Sequence, residues 1–203
     1  DDMQLITSLA NDSNQVWCAT SEGLIINYDP IKDSSQLIEG PWETQIYSLY
    51  IDDKNTKWIC TTNGLFYNNR RDKWKQVNDF SRAYGIYAYA NDYWAIGRDK
   101  DKRAILLNYG SYDFLVLGIE MSKKDWTELV IDGIPNTYIK FNDLDFDNFG
   151  NLWIATDDGI IRYNPKFNRT EQFNNQIYPE FKMKTVKTIA VQDDIIWVGS
   201  IGS

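Results

Sequence analysis

Five times along the chain a Trp stands in nearly the same frame: Val16-Trp17-Cys18-Ala19-Thr20, Lys57-Trp58-Ile59-Cys60-Thr61, Tyr93-Trp94-Ala95-Ile96-Gly97, Leu152-Trp153-Ile154-Ala155-Thr156 and Ile196-Trp197-Val198-Gly199-Ser200. Three of these Trp have a Gly six residues later, at Gly23, Gly64 and Gly159. The intervals are 41 residues (17 to 58), 36 (58 to 94), 59 (94 to 153) and 44 (153 to 197). A repeat constrains the fold more than any single element can. Each unit must be the same supersecondary piece, and its apolar face must be buried by its neighbours. A period near 40 that is rich in strand formers predicts the four-stranded antiparallel blades of a β-propeller.

The fourth repeat shows the unit most cleanly. Leu144 and Phe146 alternate with polar residues, as in a strand covered on one side. Asp147-Asn148-Phe149-Gly150-Asn151 is a polar turn. Leu152 to Thr156 is a continuous apolar run, expected of a strand covered on both faces. A second turn at Asp157-Asp158-Gly159 leads to Ile160-Ile161-Arg162-Tyr163, stopped by Asn164-Pro165, and Thr170-Glu171-Gln172-Phe173 is the fourth strand. The first strands carry paired apolar residues three apart: Ile6 and Leu9, Ile46 and Leu49, Phe141 and Leu144, Val186 and Ile189. The repeats run approximately over 2–40, 41–80, 81–135, 136–178 and, incompletely, 179–203. Trp17, Trp58, Trp94, Trp153 and Trp197, with Gly23, Gly64 and Gly159, are its structural anchors, and packing between blades is the expected role of the Trp.

The pattern of apolar first strand, Asp-containing turn, Leu-Trp-Ile-Gly/Ala-Thr, Gly-Leu/Ile and Arg-Tyr-Asn/Asp-Pro resembles the two-component regulator propeller repeat. Residues Leu152 to Pro165 match it throughout, and weaker copies recur from about Ile6 to Gly199. The resemblance implies the extracytoplasmic sensor region of a hybrid two-component histidine kinase of the Bacteroidetes type, where many members respond to oligosaccharides. It implies a periplasmic location, an oligosaccharide ligand, and as partners the remaining blades and the kinase portion of a parent protein. A homodimer is a further expected partnership. Phosphotransfer would belong to the parent, so this region is expected to be non-enzymatic. The alternative is a scaffold or interaction propeller of a cell-surface or secretion complex. Seven blades, usual in that family, need roughly 290 residues at this period. The expectation is therefore about four blades plus part of a fifth, cut from a larger propeller. A five-bladed ring completed by the N-terminal strands is the other arrangement.

Composition narrows the function. The 203 residues carry a formal charge of −8, which argues against a nucleic-acid or anionic-membrane surface. No apolar run approaches the roughly 18 residues that would insert into a membrane. The chain opens on Asp1-Asp2 without a charged start or apolar segment, so no leader peptide is legible. There is no His, which removes the commonest general base and the commonest transition-metal ligand. No cofactor, metal or catalytic constellation is expected. Asp143, Asp145 and Asp147 fall short of a calcium loop, because position 6 is Asn148 and position 12 is Ile154. Asp157-Asp158 and Asp193-Asp194 are adjacent carboxylates in turns, not a pair facing across a substrate. Cys18 and Cys60 sit one and two residues after their Trp, so they face opposite ways in their strands and are expected to be buried free thiols.

Ligand residues are sought where the repeat breaks. After Trp94 the Thr is replaced by Gly97, and Lys100 stands where Gly is expected. The long interval predicts longer strands or an inserted loop between Arg98 and Pro135. Tyr87 and Tyr89 flank Trp94, and aromatic faces with polar tips suit sugar rings. Arg98 follows the frame directly. Trp42, in the connection between the first two repeats, is the best candidate for an exposed aromatic. Arg98, Tyr87, Tyr89 and Trp42 are thus the candidate ligand residues. Trp74 and Trp126 fall in fourth-strand regions and are expected to pack there.

Overall fold

The computed structural model describes residues 5–69, 73–77, 80–89, 92–101, 103–116, 119–129, 131 and 139–201, and among them there is no helix. Blade 1 is β1 (Ile6–Asp12), β2 (Gln15–Thr20), β3 (Ile25–Asp29) and β4 (Ser34–Ile38). Blade 2 is β5 (Ile46–Ile51), β6 (Lys57–Thr61), β7 (Gly64–Asn68) and β8 (Lys75–Val77). Blade 3 is β9 (Arg82–Tyr89), β10 (Asp92–Arg98), β11 (Ala104–Val116) and β12 (Ile119–Leu129). Blade 4 is β13 (Phe141–Phe146), β14 (Leu152–Thr156), β15 (Gly159–Asn164) and β16 (Arg169–Phe173), and blade 5 is β17 (Thr185–Gln192) and β18 (Ile195–Ile201). Strand order in each sheet follows the sequence, four strands in blades 1 to 4 and two in blade 5. These antiparallel meanders are β-propeller blades.

The chain divides into two compact units, Asp1–Ile86 with Gly97–Lys102, and Tyr87–Ile96 with Arg103–Ser203. In the first unit blades 1 and 2 share a core of Trp17, Ala19, Ile25, Trp42, Ile46, Leu49, Ile59 and Phe66. In the second, blades 4 and 5 share Ala155, Ile160, Val186 and Ile189, with Trp153, Phe173, Phe181 and Met183 packed around them. The long interval after Trp94 is an extended hairpin, in which β11 and β12 pair from Leu106↔Leu129 to Val116↔Ile119. Among the described residues of the interval, the extra length lies in longer strands.

The three-residue spacing of the first-strand pairs has a structural cause. Period-2 alternation would place residues three apart on opposite faces. In every described case the register slips by one residue between them, at Ile6/Ser8, Ile46/Ser48, Phe141/Asp143 and Val186/Thr188. The bulge absorbs the extra residue and returns both apolar side chains to one face.

The second turn explains the Thr and Gly of the frame. Thr61 Oγ1 donates to Gly64 O at 2.9 Å and accepts from Asn63 N at 3.0 Å. Thr156 Oγ1 does the same with Gly159 O and Asp158 N, each at 3.0 Å. Gly159 has φ +89°, and a Cβ there would lie 2.1 Å from Phe173 O. Any side chain would both strain that backbone and push the fourth strand away.

Three Trp anchors are buried, Trp17, Trp58 and Trp94, and Trp153 is half-buried. Trp197 departs from the expected packing: it is 58% exposed. Blade 5 has two strands, and no described residue covers its Trp face. Both cysteines are free thiols, Cys60 buried and Cys18 only half-buried. Cys18 pairs with the exposed Leu9, which leaves its face of blade 1 open. Trp74 packs on the blade 1–2 core, and Trp126 lies half-buried in β12.

Candidate functional site in blade 4

An Asp six residues before the Trp governs the first turn of blades 2 and 4. Asp147 Oδ1 accepts from Phe149 N at 2.9 Å and Asn151 N at 2.8 Å, while Oδ2 accepts from Asn151 Nδ2 at 2.8 Å and Trp153 Nε1 at 2.9 Å. Asp52 repeats the arrangement with Lys54 N, Thr56 N and Trp58 Nε1. Burial pushes the Asp147 carboxyl up, but the bonds from Asn151, Trp153 and Phe149 outweigh it and hold the group below its ordinary value. Where the sequence places Asn11 or Ala88 at this position, the indole N–H of Trp17 or Trp94 is buried without a partner.

From Asp147 the bonds run outward to an open concavity of about 380 Å³ in the second unit, lined by Asn151, Arg162, Asn164, Phe167, Arg169, Thr170 and Glu171. Asn151 Oδ1 accepts from Asn164 Nδ2 at 2.7 Å, and Asn164 Oδ1 accepts from Phe167 N at 3.1 Å. Two amide side chains and the loop bearing Phe167 are thereby fixed from one buried carboxylate. Arg162 pairs with Glu171, and its guanidinium lies 5.5 Å from the Trp153 ring centroid. Tyr178 donates to Glu171 Oε1 at 3.2 Å, and that bond to an anion raises its phenol. Phe167 is exposed, and the buried Thr170 hydroxyl has no partner. The surface thus offers guanidinium, amide and carboxylate groups beside the exposed Phe167 ring, with Lys166 Nζ 5.5 Å from its centroid. Such a set binds a polyhydroxylated molecule by hydrogen bonds while the ring packs on its C–H face.

The residues expected from sequence to bind ligand lie elsewhere. Trp42 is 1% exposed, so the expectation of an exposed aromatic is overturned. Its indole N–H donates to Gly23 O at 2.7 Å, and its ring meets Phe66 and Trp74 edge-on at 5.7 and 4.9 Å. Pro41 and Gly40 turn it inward, and a Cβ at Gly40 would lie 2.0 Å from the Trp42 ring. Arg98, in the first unit, is half-buried, and its carbonyl accepts from Ser81 N and Oγ. Tyr87, in the second unit, is half-buried with its ring 6.3 Å from that of Phe146. The side chain of Tyr89 lies outside the described residues. The pocket residues had one legible signal, the Asp–Trp spacing of six, which points to a braced turn and not directly to a ligand.

Asp143, Asp145 and Asp157 have structural partners. Asp143 Oδ2 accepts from Thr188 Oγ1 at 2.7 Å and Ile189 N at 3.0 Å, and Asp145 Oδ2 from Val191 N at 2.7 Å. Asp157 Oδ1 accepts from Lys140 N at 2.8 Å. Among the described residues no group of three or more His, Cys, Asp or Glu is placed to hold a metal ion.

No protein-family profile matches the chain, and no curated protein does. Solved structures do. An extracellular domain from B. thetaiotaomicron, assigned to a hybrid two-component system, superposes with TM-score 0.73 at 17% identity, covering 98% of this chain and 26% of its own. A second such domain from that organism superposes with TM-score 0.71 at 16% identity, covering 97% and 26%. PorZ, a surface component of the type-IX secretion system of Porphyromonas gingivalis, gives 0.69 at 13%, covering 96% and 31%. The chain spans between a quarter and a third of the length of these structures. At such identities the likeness is one of fold: the chain is a run of β-propeller blades of the kind found in extracellular domains of hybrid two-component systems.

Proposed function

We propose that this chain is part of the extracytoplasmic sensor region of a hybrid two-component system, and that blade 4 binds an oligosaccharide. The observation that carries the reading is the blade 4 concavity, where Arg162, Arg169, Asn151 and Asn164 surround the exposed Phe167 ring. The propeller likeness supports the setting, and the groups at the site support binding rather than bond cleavage. Arg162 and Glu171 are paired side by side, and Tyr178 also bonds the carboxylate.

The mechanism is a population shift. Strand β13 carries Asp143 and Asp145, which hold β17 of the next blade, and leads directly into Asp147, which fixes the pocket amides. A ligand that favours one setting of Asn151 and Asn164 therefore biases the packing of blade 4 on blade 5, by no more than its difference in affinity for the two settings. The membrane-linked kinase of the parent protein would read that change.

A thermal-shift panel of neutral and uronic-acid oligosaccharides tests the reading. A ligand at about 100 times its Kd stabilises by roughly 2.7 kcal/mol. The expected result is a saturable rise in Tm that is lost in Phe167→Ala and Arg169→Ala. Both side chains are exposed, so those variants keep their fold. A panel without any shift overturns the oligosaccharide reading. The likeness to PorZ favours a second reading, a scaffold blade set, which predicts no glycan shift and co-purification with an envelope protein.

A further inference from the structure

The turn that carries Phe167 recurs in blade 1 with the same bonds and different charges. Asn164 Oδ1 accepts from Phe167 N at 3.1 Å, and Asp29 Oδ1 accepts from Lys32 N at 3.2 Å, three residues on in both. Tyr163 donates to Asn168 Oδ1 at 3.2 Å, and Tyr28 donates to Asp33 Oδ1 at 2.9 Å. Asn168 and Asp33 both adopt the left-handed backbone, with φ +47° and +48°. The strand register extends the match. Trp153, Arg162 and Glu171 stand in one row across β14, β15 and β16, where blade 1 has Trp17, Asn27 and Gln36. Two residues along, Asn164 faces Arg169 as Asp29 faces Ser34.

Four replacements take this turn from acidic to basic. The carboxylates of Asp29 and Asp33 become the amides of Asn164 and Asn168, and the neutral Asn27 and Ser34 become Arg162 and Arg169. The Lys at position 32 gives way to Phe167, but a Lys stands one place earlier, at Lys166. The reverse change, Gln36 to Glu171, adds a carboxylate that Arg162 and Tyr178 already engage. Asp147 lies beneath with both oxygens bonded to N–H groups. Arg169 is exposed, and its guanidinium has no ionic or hydrogen-bonded partner among the described residues. A complete neighbouring blade does not close these positions. Blade 1 adjoins the four-stranded blade 2, yet its Ser34 and Gln36 are exposed and its Gln15 and Asn27 half-buried.

We infer that the blade 4 concavity selects an acidic sugar, whose carboxylate or sulfate ester meets the Arg169 guanidinium while Phe167 packs on the ring. The inference rests on the oligosaccharide reading of this site and names the class of sugar. An unpaired guanidinium presents a planar fork of N–H donors that matches an oxyanion and accepts no hydrogen bond itself. The chain as a whole carries a formal charge of −8, so it repels anions at long range. Gathering Arg162, Lys166 and Arg169 around one turn while removing two carboxylates from it reverses that preference locally. Nothing in the fold demands the change, because blade 1 builds the same turn from Asp29, Asp33 and Ser34.

Calorimetric titration with matched pairs of oligosaccharides tests this. Uronic-acid oligomers are compared with their carboxyl-reduced counterparts, and sulfated oligomers with their desulfated ones. The expected result is that an acidic member binds about tenfold or more tightly than its neutral counterpart. Which pair shows the gap identifies the oxyanion. The gap should shrink as salt is raised. Arg169→Gln should abolish it and leave the neutral member's affinity unchanged. Asn164→Asp combined with Arg169→Ser gives blade 4 the charges that blade 1 carries at Asp29 and Ser34, and should make the acidic member the weaker ligand. Thermal unfolding without sugar checks that both variants keep their fold. Neutral and acidic members that bind equally, or a gap that survives in both variants, would overturn the inference while leaving the oligosaccharide reading in place. A panel in which no member binds would overturn that reading and the inference with it.

Discussion

The contacts between blades 1 and 2 and between blades 4 and 5 meet the same backbone demand with different chemistry. Each must satisfy an edge N–H on the incoming first strand, at Leu49 or Ile189, because an unpaired buried amide costs about 1–3 kcal/mol. Blade 1 uses the neutral Ser8 hydroxyl and adds an ion pair, Lys57 Nζ to Asp12 Oδ2 at 3.0 Å, with Asn55 also donating to Asp12. Blade 4 uses two carboxylates, Asp143 and Asp145. The connecting segments differ too. Trp42 is driven fully into the first contact, while Phe181 and Met183 are only partly buried in the second. One repeat geometry thus tolerates either a hydroxyl fastening with an ion pair beside it and a large apolar wedge, or a carboxylate fastening with a lighter wedge.

The wedge gives the largest expected effect. Trp42→Ala removes a buried indole and its bond to Gly23 O, and about 3–5 kcal/mol of stability should be lost on urea unfolding. Phe181→Ala, at the lighter wedge, should cost under about 2 kcal/mol. Equal losses would show that the two connections carry the same load. Next comes Asp147→Ala, which strips acceptors from Trp153, Asn151 and Phe149 and should cost about 2–3 kcal/mol. It should also weaken glycan binding, since Asn151 and Asn164 lose their anchor. Ser8→Ala leaves Leu49 N–H open and should cost about 1 kcal/mol in the same assay.

The smallest effects are the most diagnostic, because the two contacts should respond to acid in opposite directions. Burial pushes the Asp143 carboxyl above its ordinary value, despite the bonds from Thr188, Ile189 N and Leu144 N. Its folded form binds a proton more readily than its unfolded form. Its contribution is therefore greatest below the ordinary carboxylate value and is lost as pH rises through the raised one. Burial also pushes Asp12 up, but the bonds from Lys57 and Asn55 prevail and leave it below its ordinary value. Its contribution is present above the ordinary value and is lost as pH falls through the depressed one. Stability measured from neutral pH into the carboxylate range should keep its acid loss in Asp143→Asn but lose its acid gain. Asp12→Asn should do the reverse. Parallel curves for the two variants would sink the distinction.

Much of the fold was legible because the repeat is chemical as well as periodic. Trp, Thr and Gly recur at fixed spacing since the Thr hydroxyl and the left-handed Gly build the same turn in blades 2 and 4, while in blade 1 the Thr20 hydroxyl accepts from Leu24 N beside the left-handed Gly23. The three-residue apolar spacing was visible, and only the bulge makes physical sense of it. What stayed hidden depends on side-chain direction. Trp42 sits among Gly, Pro and Glu, a setting that reads as exposed, yet it fills a gap between sheets. The pocket draws its groups from a turn, two strands and a loop of blade 4, each unremarkable as sequence. Trp197 shares the anchor frame, but its burial depends on a neighbour that the frame cannot supply.

Side-chain NMR during titration with the oligosaccharide that gives the largest thermal shift tests the central claim most directly. Binding at blade 4 predicts saturable shifts of the Asn151 and Asn164 amides, the Arg162 guanidinium and the Trp153 indole N–H, which shares Asp147 with Asn151. Shifts confined to Arg98 and Tyr87, with the blade 4 amides unmoved at saturation, would contradict it.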